Sequence, residues 1–230
     1  MTPALEVARH VAERVASSAD ELNRLDAQAG DGDLGVTMRT AATLVTDLLP
    51  TLDAAPPGEA LRACGLALAR GAPSTAGTLV ASALLRAAKT VEEAEAETSP
   101  PAVVAVLLES AAAGVRERGK AEVGSKTMLD ALVPAAEAAR EAASRGASIE
   151  ILMDAAALAA ENGSRQTRSM RPLHGRAGWL ADRSAGHEDA GARLIAIALR
   201  AAADAVADLA ESAERAGTVS RPDTRDVADP

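Results

Sequence analysis

Alanine fills 58 of the 230 positions, while the chain has no phenylalanine, no tyrosine and one tryptophan. Small side chains cannot fill a wide core, so the backbones that enclose it must approach closely. Alanine is also the strongest helix former, and the residues that favour strands are scarce. The expected fold class is therefore all-α, with tightly packed helices. Apolar residues make up 48% of the chain, enough for a real core.

Periodicity and breakers place eight helices, at about 3–24, 36–49, 58–70, 78–95, 100–119, 127–144, 149–162 and 192–216. Most joints are short, so neighbours are expected to be antiparallel. No Pro/Ser-rich linker and no internal repeat divides the chain. One helical domain over 1–216 is expected, followed by a polar tail over 217–230.

The net charge of −9 comes without a basic stripe or stacking aromatics, which sets nucleic acid aside. Cys64 is the only cysteine and cannot form an internal disulfide, which fits a reducing compartment. The N-terminus lacks a secretory apolar region, and the apolar run at 102–108 stops at Glu109, too short to span a bilayer. A cytoplasmic protein without membrane contact is expected.

The stretch "LDAQAGDGDLGVTM" at 25–38 is the sharpest chemical feature. It crowds Asp26, Asp31 and Asp33 into eight residues, where their charges repel. One helix would not put all three on the same side, but Gly30 and Gly32 let the chain curl. Converging hard oxygen ligands suit Mg²⁺, whose shell is usually completed by water and substrate phosphates. A calcium hand is excluded, because position twelve from Asp31 is Ala42 where a glutamate is needed. A helix begins directly after the loop, and free N–H groups at its start would favour an anion. Two readings stay open here: a metal–phosphate site, or a solvated acidic connector with Asp31 or Asp33 as N-cap.

Three other stretches stand out. "GAPSTAGT" at 71–78 puts small residues and hydroxyls before a helix, though it lacks the Gly-Lys-Ser/Thr signature of a P-loop. "RGKAEVGSKTMLDALVPA" at 118–135 sets Lys126, Thr127 and Met128 at a helix start, with Met128 a core residue by default. "MRPLHGRAGWLADRSAGHEDAG" at 170–191 holds Arg171, Arg176, Arg183, His174, His187 and Trp179. Any of its arginines could grip a phosphate through two donors, or form a salt bridge.

Together and in this order, these stretches resemble the nucleotide-binding (DhaL-type) subunit, or C-terminal domain, of dihydroxyacetone kinases. The family pattern has Gly-Asp-x-Asp-His-Gly with an earlier Asp, a small Gly/Ser loop and Gly-Lys-Ala…Gly-Asp-Lys-Thr-Met. It ends with Gly-Arg-Ala-Ser-Tyr-Leu-Gly-Glu-Arg-Ser…Gly-His-x-Asp-Pro-Gly. The resemblance runs from about 5 to 212 and implies a single barrel of eight antiparallel helices with ADP or ATP at one end.

By position, the resemblance makes Asp26, Asp31 and Asp33 ligands of Mg²⁺, two ions in the family. Leu34, Gly35, Val36 and Thr37, with Thr75 and Ala76, would lie along the phosphates. Gly119 and Met128 would line the adenine pocket, Arg176 would reach the phosphates, and Asp189, Ala190 and Gly191 would close the site. Arg176, Asp31 and Asp33 are the implied catalytic residues.

The chain departs from the family at Leu34 (for His), Thr37 (for Asn), Ala76 (for Ser), Ser125 (for Asp), Trp179 (for Tyr) and Ala190 (for Pro). The implied function is phosphoryl transfer to a short-chain ketose held on a separate kinase subunit. ATP or a phosphohistidine carrier would be the donor, and a homodimer is a further expectation. The alternative is a nucleotide-binding regulatory or scaffold protein of the same fold without kinase activity.

Overall fold

The structure is a computed structural model and describes residues 1–94, 98–171 and 184–219. Among these residues it contains nine α-helices and no strand. They are α1 (Pro3–Ser17), α2 (Ala19–Asp26), α3 (Leu34–Leu48), α4 (Pro57–Gly71), α5 (Thr75–Glu93), α6 (Pro100–Gly119), α7 (Leu129–Ser144), α8 (Ile149–Gln166) and α9 (Ala190–Val219). Short 3-10 turns follow α3 and α8, at Leu49–Leu52 and Thr167–Ser169.

The ninth helix arises because the expected helix over 3–24 breaks in two. Ser17 and Ser18 both donate their hydroxyls to the Arg14 carbonyl, at 2.8 and 2.9 Å. Ser18 leaves helical geometry at φ −91°, ψ 5°, and α2 starts at the next residue. Hydroxyls that bond back to the preceding turn compete with the helix ladder, and a pair of them ends it here.

Eight of the nine helices form a closed ring. α1 packs on α3, then α3 on α4, α4 on α5, and so on to α8 on α9, which returns to α1. The short α2 lies against α3 and α9. Alanine makes the close approach possible. On α7, Ala131, Ala135 and Ala139 are wholly buried, as are Ala156, Ala157 and Ala160 on the adjoining α8. Ala131, Ala135 and Ala139 repeat every four residues, and Ala160 lies three and four residues after Ala157 and Ala156, so the two helices present methyl-only faces that let their backbones approach closely.

Short connections make the helices run alternately up and down. That alternation brings the starts of α3, α5, α7 and α9 to one end of the ring, with the ends of α2, α6 and α8. The described residues of every stretch singled out in the sequence lie at or beside these termini. No helix among the described residues is long and apolar enough to cross a membrane.

Candidate functional site

The three aspartates converge. One carboxylate oxygen from each of Asp26, Asp31 and Asp33 lies within 4.8 Å of the others. Asp31 and Asp33 are exposed, and Asp26 is half-buried at the end of α2. Two glycines permit this. Gly32 has φ +77°, which a side chain would strain. A Cβ at Gly30 would lie 2.5 Å from Asp26 Oδ1, in space the carboxylate occupies. The donor set is all hard oxygen and the cradle around Asp26 is kept clear, so these residues fit Mg²⁺.

The start of α3 differs from the sequence expectation. Its N–H groups do not stand free for an anion. Asp26 Oδ2 accepts from the N–H groups of Asp33 (3.0 Å) and Leu34 (3.3 Å). Asn23 Oδ1 accepts from Gly35 (2.7 Å) and Val36 (3.2 Å), and the Asp33 carbonyl accepts from Thr37 (3.0 Å). Asp33 stands at the N-cap position without a side-chain cap bond. The capping side chains come instead from α2, because its last turn crosses the start of α3. The sequence reading missed Asn23; its spacing of three residues before Asp26, on the same helix face, is the signal that could have found it.

Leu34, Ala76 and Ala190 come from three separate stretches and meet in one apolar cluster with Leu22, Met38 and Leu194. Leu34 and Ala190 are buried, Thr37 is half-buried, and Val36 and Thr75 are exposed. Ser74 Oγ accepts from the Gly77 N–H at 3.0 Å and starts α5 at Thr75, three residues before the expected position. Thr75 and Ala76 therefore sit in a helical first turn.

On the far side of that cluster, a Cβ added to Gly191 would lie 3.5 Å from Met128 Cβ and 3.2 Å from Asp189 Oδ1. Met128 is 5% exposed. Gly119 ends α6 beside Leu79, which packs on the same core cluster as Met128. The structure thus brings the candidates from all four stretches to one end of the ring. Arg176 lies outside the described residues, as do His174, Trp179 and Arg183.

Asp189 caps α9 by accepting from the Ala192 N–H at 2.7 Å, and its own N–H donates to Thr167 Oγ1 at 2.8 Å. Burial pushes its carboxyl up to about 7; Asp130 and Asp26 add to the rise, while the Ala192 N–H and Lys126 oppose it. The folded chain therefore holds this proton more tightly than the unfolded chain does. Its contribution to stability is full below the ordinary carboxylate value of 3.8 and is lost as pH rises to about 7. In metal-free protein, Asp189→Asn keeps a capping acceptor and removes the buried charge. Thermal unfolding should find it more stable than wild type at pH 8 by on the order of 1–2 kcal/mol. The advantage should vanish below the ordinary carboxylate value.

Comparison with known proteins places the chain in a family. The DAK2 domain model matches residues 28–204. The chain is 31% identical over 179 residues to the PEP-dependent dihydroxyacetone kinase, ADP-binding subunit DhaL, of Escherichia coli, covering 78% of this chain and 84% of that subunit. It is 36% identical over 200 residues to the D-erythrulose kinase of Mycolicibacterium smegmatis, covering 85% of this chain but 34% of that protein. Among solved structures, the dihydroxyacetone kinase from C. freundii in complex with AMP-PNP and Mg²⁺ aligns with a TM-score of 0.65 at 24% identity, over 87% of this chain and 33% of that one. At that identity the likeness speaks for the fold alone.

Proposed function

The chain belongs to the DAK2-domain family, and from that premise we propose that it is the nucleotide-binding, phosphotransfer subunit of a short-chain ketose kinase, working with Mg²⁺ and ADP or ATP. The observation that carries this reading is the convergence of Asp26, Asp31 and Asp33 where four helices begin. Three carboxylates this close are unfavourable unless a cation sits among them or water screens them. In this reading they hold Mg²⁺, which when bound would offset charge on the phosphates. Asn23 and Asp26 fix the start of α3, and Met128 and Gly191 form a wall for the base. Arg176 is assigned to the transferring phosphoryl group on the family resemblance. The ketose is held on a separate subunit, so this chain contributes position and electrostatics and makes no covalent bond to substrate.

A second reading, a nucleotide-binding regulatory subunit, is favoured by Leu34 and Ala76. Both side chains belong to the apolar cluster, so neither offers a polar contact to a phosphate. Two measurements separate the readings. Calorimetric titration with ADP should give binding in Mg²⁺ that disappears in EDTA; no binding in either would remove both readings. The chain, paired with a ketose-binding subunit, is then assayed on dihydroxyacetone. Sustained turnover with ATP alone excludes an obligatory phosphohistidine carrier. Binding of Mg-ADP without transfer from either donor selects the regulatory subunit.

A further inference from the structure

We propose that Lys126 is a positioning residue for the nucleotide: from α7's approach, its ammonium holds the turn that presents Asp189 and Gly191 to Met128. The inference rests on the nucleotide reading above. Lys126 is 4% exposed, and its Nζ donates to the carbonyls of Ser184 (2.7 Å), His187 (2.8 Å) and Met170 (3.4 Å). An ammonium has three donors, and here all three are used. The acceptors lie 44 to 61 residues further along the chain. One side chain therefore ties the approach to α7 to the end of α8 and to the turn before α9.

The backbone is shaped to bring that side chain in. Lys126 has φ +61° and Gly124 φ +92°, both in the left-handed region. For a lysine this conformation costs on the order of 1 kcal/mol. Asp130, itself 2% exposed, holds the bend by accepting from the N–H groups of Gly124 and Thr127, the latter at 2.7 Å. On the other side, Thr167 Oγ1 accepts the Asp189 N–H, Glu188 accepts from Ser164 and Arg168, and the Gly186 N–H donates to the Arg168 carbonyl at 3.2 Å. Among the described residues, every buried polar or charged side chain belongs to one of these neighbouring segments, 125–130, 164–167 or 184–188.

Stability alone does not call for an ammonium here. An apolar side chain filling the same space would avoid the desolvation that burial imposes on a charge, and buried ionic groups are often neutral or worse for stability. What the ammonium supplies is geometry. Three carbonyls aimed at one point set where the 184–189 turn stops, and Asp189 and Gly191 follow directly from it. A Cβ added at Gly191 would lie 3.5 Å from Met128 Cβ, so only a glycine leaves the space between them open. A shift of that turn by an ångström would open or close the space between them, a displacement large enough to matter at a binding site.

Calorimetry on the full chain tests this with ADP in Mg²⁺, and with Mn²⁺ alone as the probe of the aspartates. Lys126→Met should raise the Kd for ADP about tenfold or more, with the Kd for Mn²⁺ unchanged. Thr167→Val removes the acceptor of the Asp189 N–H, leaves Lys126 in place, and should shift the ADP affinity in the same direction. A merely structural role would leave the ADP affinity of the folded variants alone, or lower ADP and Mn²⁺ binding together with stability; either result overturns the proposal. If Lys126→Met does not fold, Thr167→Val decides by itself, and an unchanged Kd for ADP overturns it. Failure of the wild type to bind Mg-ADP would instead strike the nucleotide reading.

Discussion

Asp31→Asn is expected to lower the Mg²⁺-dependent affinity for ADP by about 100-fold or more, and to abolish phosphoryl transfer, while leaving the metal-free protein as stable as before or slightly more so. The two effects point in opposite directions for one physical reason. Asp31 is exposed in a cluster whose carboxylate oxygens lie within 4.8 Å of one another. Without a cation, those charges repel, and removing one relieves the repulsion. In the proposed reading, the same carboxylate is a ligand once a cation is bound, and its loss weakens the site.

Calorimetry in Mg²⁺ and a thermal melt in EDTA measure both sides. Asp26→Ala should behave differently. It also deletes the acceptor for two N–H groups at the start of α3, so the stability read from the melt should fall by about 1 kcal/mol as well. Wild-type ADP binding in Asp31→Asn would reduce the acidic loop to a solvated connector and end the phosphotransfer reading.

Gly35→Ala should be the most damaging single methyl at this end of the ring. A Cβ there would lie 1.8 Å from the Ala19 carbonyl oxygen and 2.7 Å from Asn23 Oδ1. The first is backbone and cannot turn aside, and the second is already engaged with the Gly35 N–H. α3 would have to move off α2, which would also pull Asp26 and Asn23 from the helix start they cap. Overpacking of this kind should cost about 3 kcal/mol or more, which for a chain of this size lowers Tm by about 6–12 °C. Circular dichroism melts check this, with Val36→Ala, one residue on and 57% exposed, as the control expected to melt like wild type. The family resemblance places Gly35 beside the phosphates, and the packing against α2 is a second and independent reason for a glycine there.

The candidate site is partly legible in the amino-acid sequence. The aspartates announce themselves because like charges crowded around glycines need an explanation, and the family pattern selects one. The resemblance assigns both Met128 and Gly191 to the nucleotide site, and in the fold a Cβ at Gly191 would lie 3.5 Å from Met128 Cβ, 63 positions away in the chain. The role of Lys126 is not legible there. Its partners are backbone carbonyls at 170, 184 and 187, and a carbonyl carries no mark in the sequence of what it will meet. The same holds for Asn23, which reads as an ordinary polar residue in a helix until α2 is laid across α3. The break at Ser18 escapes a periodicity argument because the apolar pattern continues through it, with Val15 and Leu22 both buried on the inner side.

Local properties specified the class of fold. Alanine content, helical periodicity and the glycine-rich breaks need no knowledge of distant contacts, so they dictate helices of about the right length in the right order. Closure of the ring was a matter for tertiary packing. The up-and-down alternation puts the starts of α3, α5, α7 and α9 at one end, and because α9 returns to α1, stretches from residue 26 to residue 191 become neighbours there. Which N–H groups are already capped, where the buried ammonium finds its carbonyls, and what raises the Asp189 carboxyl all depend on that closure. They are sums over groups far apart in the chain, and only a folded backbone sets the distances in those sums.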